Sequence, residues 1–173
     1  PLSIRPAMLK GRDHVLPVAS AQVKSAILLA GLYASGRTVI HQPGPARDHT
    51  ERMLASLLEP RPGDDDSDEP LVCYTMESVS LDATRIGQMA PMDMKVPGDL
   101  SSAAFLIAAA LLLSGSEIYL EGVGMNATRT GLLDVLRAMG AEIAILNPDV
   151  EGGEPVGTVH VKAGALHRTE IAG

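Results

Sequence analysis

The residues Ser20-Ala21-Gln22 open a strongly apolar segment, "PVASAQVKSAILLAG" (17–31), and Arg47 stands in "PGPARDHTE", just ahead of a second helical pattern. A helix start carries backbone N–H groups without helical partners and the positive end of the helix dipole, so it attracts anions. One capping side chain meets the needs of folding, and Ser20 taken alone reads as that cap. Gln22 adds donors without adding negative charge. In an α/β repeat the loops that follow parallel strands gather on one sheet edge, which brings Arg47 toward the same turn. Arginine offers phosphate a bidentate fork with charge-assisted bonds of about 1.5 to 3 kcal/mol each, so it outweighs a neutral serine contact. The plainer alternative for Arg47 is a surface side chain paired with its neighbour Asp48.

A second helix start, Asp99-Leu100-Ser101-Ser102, looks similar and differs in sign. The Asp99 carboxylate caps well but repels phosphate, so the first start is the better anion site. The remaining chemistry-bearing residues offer less. Histidines 14, 41, 49, 160 and 167 show no ligand spacing, and the acidic run "DDDSDE" (64–69) lacks the glycine and terminal glutamate of a calcium loop. No metal and no cofactor is expected. Cys73 reads as a small core residue on a short strand. Met89, Met92 and Met94 read as packing at a core edge.

Composition narrows the partners. The 173 residues are 46% hydrophobic, enough for a packed core, with one Phe, three Tyr and no Trp. Base-stacking platforms are thus nearly absent, and a net charge of −7 argues against a nucleic-acid or anionic-membrane surface. The longest apolar run, Ala103 to Leu113, falls well short of the roughly 20 residues of a membrane span and reads as a buried helix. A lone cysteine suits a reducing compartment, so the cytoplasm is expected, with the protein a monomer. The chain opens on Pro-Leu-Ser-Ile without a signal pattern and stops at Gly173 in a strand-like run, and is expected to be an excerpt.

Periodicity supplies the elements that would position these residues. Strands are expected over Asp13 to Val18 and Arg37 to His41, around a helix from Ser20 to Ala34 that is apolar nearly all round and so expected to be buried on most sides. A second helix, Asp48 to Leu58, carries Asp48 and Glu51 in capping-box spacing. Leu71 to Thr75 and Ser78 to Leu81 suit a hairpin. A second pass follows: a strand in "MDMKV" (92–96), a helix over Ser101 to Leu113, a strand in "SEIYLEGV" (116–123), a helix over Thr130 to Met139, and strands Ala141 to Leu146 and Val156 to Lys162 around Gly152-Gly153-Glu154-Pro155. Gly36 aligns with Gly115 and Leu54 with Leu136, so the two passes repeat one βαβαββ plan. The fold class expected is α/β (α+β), with units 1–84 and 85–173.

Four stretches, "LPVASAQVKSAILLAGLYASG", "RDHTERML", "VPGDLSSAAFLIAAALL" and "NATRTGLLDVLRAMGAEI", resemble the 5-enolpyruvylshikimate-3-phosphate synthase family in its bacterial Ser-Ala-Gln form. With "GGEPVG" they cover nearly the whole chain in family order. The resemblance implies a two-lobed enolpyruvyl transferase fold of three βαβαββ units per lobe, this chain holding the last unit of one lobe and the first substantial unit of the other. It implies that Ser20 and Gln22 bind shikimate 3-phosphate, with Gln22 also near phosphoenolpyruvate, and that Arg47 contacts substrate phosphate. Ala21 stands where another class has serine, leaving its backbone N–H. The implied reaction moves the enolpyruvyl group of phosphoenolpyruvate to the 5-hydroxyl of shikimate 3-phosphate without a metal. Its proton-transfer residues fall outside this span, so no catalytic residue is expected here and the excerpt alone is expected to be inactive. Two other readings compete: the related transferase acting on UDP-N-acetylglucosamine, and a noncatalytic βαβαββ binding module.

Overall fold

In "RTVIH" (37–41) Thr38 and Ile40 are buried while Arg37 and His41 are exposed, the period-two signature of a strand with one covered face. This segment is β2 of the computed structural model, which describes residues 3–58, 70–84 and 93–171. The chain divides into two units, 1–93 and 94–173. The expected boundary at 84/85 touches the segment 85–92, outside the described residues, as do the acidic run 64–69, Met89 and Met92. Met94, the remaining methionine of that group, is half-buried.

The first unit runs β1 (Asp13–Val15), α1 (Ala21–Gly31), β2 (Arg37–His41), α2 (His49–Leu57), β3 (Val72–Tyr74) and β4 (Ser78–Asp82). Strands β1 and β2 pair in parallel across the α1 crossover, and β4 inserts antiparallel between β2 and β3, giving the order β1-β2-β4-β3. Leu28 of α1, Ile40 of β2, Leu54 of α2 and Leu81 of β4 meet in the core, each at most 1% exposed. Helix α1 lies tight on the sheet because Gly31 has no side chain. A Cβ there would stand 3.0 Å from Thr38 Oγ1 and 3.3 Å from Leu81 Cδ2.

The second unit runs α3 (Leu100–Leu112), β5 (Glu117–Gly124), α4 (Gly131–Ala138), β6 (Glu142–Glu151) and β7 (Glu154–Lys162). Its sheet order, β5-β7-β6, repeats β2-β4-β3. The starts of α1 and α3 lie 79 residues apart and those of α2 and α4 lie 82 apart, the two offsets of the sequence repeat. The β6–β7 turn is the two-residue Gly152-Gly153, both at positive φ (55° and 82°), as a type I′ hairpin requires.

Three expectations need correction. The strand in "MDMKV" does not form over its described residues 93–96. All that stands in for it is a parallel bridge between Gly98 and Val123, where Gly98 donates to Gly122 O at 2.7 Å and receives from Gly124 at 2.9 Å. Pro97, lacking an N–H, cannot extend a ladder there. Second, neither apolar helix is buried on most sides within its unit. Among the described residues each unit has one sheet, and it covers one stripe: Leu28 and Lys24 on α1, and Ala103, Ile107 and Ala110 on α3, are buried, while Val23 and Leu29, or Phe105, Leu106 and Leu112, stand in the open. Third, Cys73 is exposed, because alternation on the edge strand β3 turns Val72 inward and Cys73 outward. No helix among the described residues is long and apolar enough to cross a membrane.

The charged pair in this apolar setting is the main specific tie between α1 and α2. Lys24 Nζ lies 2.5 Å from Glu51 Oε1, and both residues are 2% exposed. Glu51 therefore faces into the unit rather than completing a capping box; Asp48 makes no side-chain cap and instead accepts from Arg52 Nε at 3.0 Å. Removing one member of a buried pair strands the other charge. Glu51→Leu alone is expected to cost about 3 to 5 kcal/mol of stability in urea unfolding. A loss below about 1 kcal/mol would place the pair in effective contact with water.

Candidate functional site

Helix α1 begins where Ser20 adopts an extended conformation (φ −138°, ψ 108°) and its hydroxyl accepts from the Val23 amide at 3.4 Å. The serine is thus the cap of its helix, over a distance longer than most hydrogen bonds of this type. Ahead of that contact lie the first-turn amides of Ala21 and Gln22, which no helical carbonyl reaches. No acidic residue stands in this turn, so the dipole is left uncompensated.

Helix α2 starts beside α1. Its first two residues, His49 and Thr50, face the first turns of α1, and Thr50 Oγ1 sits 2.7 Å from Ser25 Oγ. Arg47 precedes this helix in the loop that follows β2. The Asp48 carboxylate is engaged by Arg52, and Arg47 makes no ion pair or hydrogen bond among the described residues. The reading of Arg47 as a surface partner of Asp48 is thereby set aside: its guanidinium is exposed and its fork is open.

Ala21, Gln22, Ser25, Arg47, His49 and Thr50 line one cavity of about 450 Å³, together with apolar side chains of α1. Its size falls within the range of small-molecule sites. Of the four residues singled out by sequence, Ala21, Gln22 and Arg47 share this cavity; Ser20 does not line it. Gln22 also borders a second cavity, about 500 Å³, walled mainly by Val23, Ala26, Ile27 and Ala30, with Lys10 and His14 at its margin. The first holds the unpaired Arg47 guanidinium and the Ser25 and Thr50 hydroxyls, whereas the second holds Lys10 and the Thr38 hydroxyl within a mainly apolar lining. Ser25, His49 and Thr50 were not among the sequence candidates. Ser25 lies one turn beyond Gln22, and the helical period alone would have placed the two on one face.

The second unit's corresponding helix start is filled by the protein itself. Asp99 caps α3, accepting from the amides of Ser101 at 3.1 Å and Ser102 at 3.2 Å and from the Ser102 hydroxyl at 3.2 Å. Arg129 reaches across to Asp99 Oδ1 at 3.2 Å and also contacts the Ser101 hydroxyl. The Ser101 amide is the largest influence on the Asp99 carboxyl and lowers its pKa; desolvation, next in size, raises it, and the Ser102 groups and the Arg129 charge bring the net value below the ordinary one. Among the described residues no group of three or more His, Cys, Asp or Glu is placed to hold a metal ion.

Comparison with known proteins gives a consistent neighbourhood. The family described as EPSP synthase (3-phosphoshikimate 1-carboxyvinyltransferase) matches residues 1–168. A 3-phosphoshikimate 1-carboxyvinyltransferase of Bacillus velezensis is 44% identical over all of this chain, which covers 37% of that protein. The corresponding protein of Anaeromyxobacter dehalogenans is 48% identical, again over all of this chain and 36% of its own length. An EPSP synthase structure from Acinetobacter baumannii superposes with a TM-score of 0.76 at 43% identity, over 90% of this chain and 32% of that one. The chain therefore spans a little over a third of the length of the curated relatives it matches.

The Asp99 cap carries a pH dependence whose sign follows from its depressed pKa. Its stabilisation of the second unit is full above about pH 5 and is lost as pH falls through the folded-state value. Acid unfolding followed by circular dichroism is expected to show Asp99→Asn losing less stability between neutral and acid pH than the parent. Identical acid profiles would remove the cap's ionic contribution.

Proposed function

The chain belongs to the EPSP synthase family, and from that membership we propose that it serves the transfer of the enolpyruvyl group of phosphoenolpyruvate to the 5-hydroxyl of shikimate 3-phosphate. That reaction forms a bond from the hydroxyl oxygen to C2 of phosphoenolpyruvate, passes through a tetrahedral intermediate and expels phosphate; it is the shikimate-pathway step toward aromatic amino acids. The residues of this chain bind and orient. We assign no proton transfer to them. We read the chain as one unit from each lobe, 1–84 and 85–173, a division nine residues ahead of the boundary between the compact units at 93/94, and the chain alone as inactive.

One observation carries the assignment of the site: Gln22 and the unpaired Arg47 line the same cavity as the first turn of α1. Arg47 supplies the charge, the Ala21 and Gln22 amides supply dipole-aligned donors, and the Gln22 amide group directs the ligand. Ser20 acts mainly by setting the helix start. The lone cysteine favours the cytoplasm, and the acidic net charge favours small phosphorylated substrates, held locally, over nucleic acid or membrane; we read the protein as a monomer.

In a polypeptide of full family length carrying this segment, Arg47→Ala is expected to weaken shikimate 3-phosphate binding about 10- to 100-fold, the loss of one charge-assisted contact. Ser20→Ala, which removes a long cap bond, is expected to change it less than about threefold. Calorimetric titration distinguishes them. Parental affinity in both variants would dissolve the site.

A further inference from the structure

A lysine and a glutamate buried together are an expensive way to join two helices. Replacing such a pair by apolar side chains of similar volume is often neutral or stabilising, so stability alone does not account for Lys24 and Glu51. The arrangement is also incomplete: Glu51 Oε2 is buried without a hydrogen-bond partner among the described residues. An ion pair differs from an apolar contact in being directional. Leucine against methionine packs in several registers, whereas an ammonium 2.5 Å from one carboxylate oxygen fixes one.

The location gives that directionality a use. Lys24 lies two residues after Gln22, and Glu51 lies four after Arg47. Beside the pair, Ser25 and Thr50 share a 2.7 Å hydrogen bond. Two adjacent residues of α1 thus meet two adjacent residues of α2, a double contact that resists both sliding and rotation. We propose that Lys24 and Glu51 are positioning residues: their buried ion pair locks the first turn of α1 to the first turn of α2 and so holds Gln22 and Arg47 at the separation that one phosphate group requires. The inference rests on the binding role proposed above for Gln22 and Arg47, and it names what keeps that site assembled.

The test uses shikimate 3-phosphate as the probe, with the segment in a polypeptide of full family length. Lys24→Met/Glu51→Leu replaces the pair by apolar side chains, and Glu51→Asp keeps both charges while shortening one arm. Calorimetry is expected to show binding weakened about tenfold in the double variant and about threefold in Glu51→Asp, since small misplacements of a binding group cost affinity steeply. KM for shikimate 3-phosphate rises by similar factors while kcat holds, and thermal midpoints do not fall in proportion. A purely structural pair would instead lower the midpoint and leave KM of the folded protein unchanged. Parental affinity in the folded double variant overturns the proposal; should that variant not fold, parental affinity in Glu51→Asp does so. Arg47→Ala run alongside separates the two ideas. If it too binds as the parent, the site itself is misassigned; if it alone is weakened, only the positioning role fails.

Discussion

Two opposite charges closed off from water govern the first unit. Lys24 and Glu51 come from successive helices, are almost wholly buried, and have each other as the compensating charge. Once the sheet has drawn α1 and α2 over Ile40 and Leu81, this pair decides which turn of one helix faces which turn of the other. The two turns so chosen are the ones that bear Gln22 and follow Arg47. A requirement of folding, that no buried charge be left alone, thereby becomes a requirement on the shape of a cavity.

The two units follow one plan and spend their helix starts differently. In the second, the Asp99 carboxylate occupies the first-turn donors of α3, and Arg129 neutralises it. In the first, a neutral serine makes one long contact, Asp48 is taken up by Arg52, and Arg47 is left with its fork open. One helix end is closed by its own side chains. The other has no acidic side chain in its first turn and is left open to the cavity that Arg47 also lines. The exposed apolar faces of α1 and α3 belong to the same plan, in which one sheet covers one stripe of a helix that is apolar nearly all round.

Much of this was legible from local pattern. Strand β2 lies where alternation put it, both helix pairs begin at the offsets of the repeat, and the β6–β7 turn falls on its glycines. That Gln22 and Arg47 could meet was readable from the gathering of loops after parallel strands on one sheet edge, and the two line one cavity. What escaped local reading depends on partners remote in sequence. Glu51 at capping-box spacing points instead to Lys24, a residue on another helix. Cys73 faces out because β3 is an edge strand, and edge position is a property of the assembled sheet. The strand expected in "MDMKV" yields to Pro97, whose missing donor limits pairing to the bridge at Gly98.

The account stands on Gln22 and Arg47 addressing a single bound anion. Gln22 borders two cavities, and only one of them contains Arg47. The most direct measurement is a nitrogen-15 NMR titration of a polypeptide of full family length with shikimate 3-phosphate, following the Gln22 side-chain amide and Arg47 Nε together. Both resonances are predicted to shift along one binding curve with a common midpoint. A shift in only one of them, or two separate midpoints, would contradict the shared site.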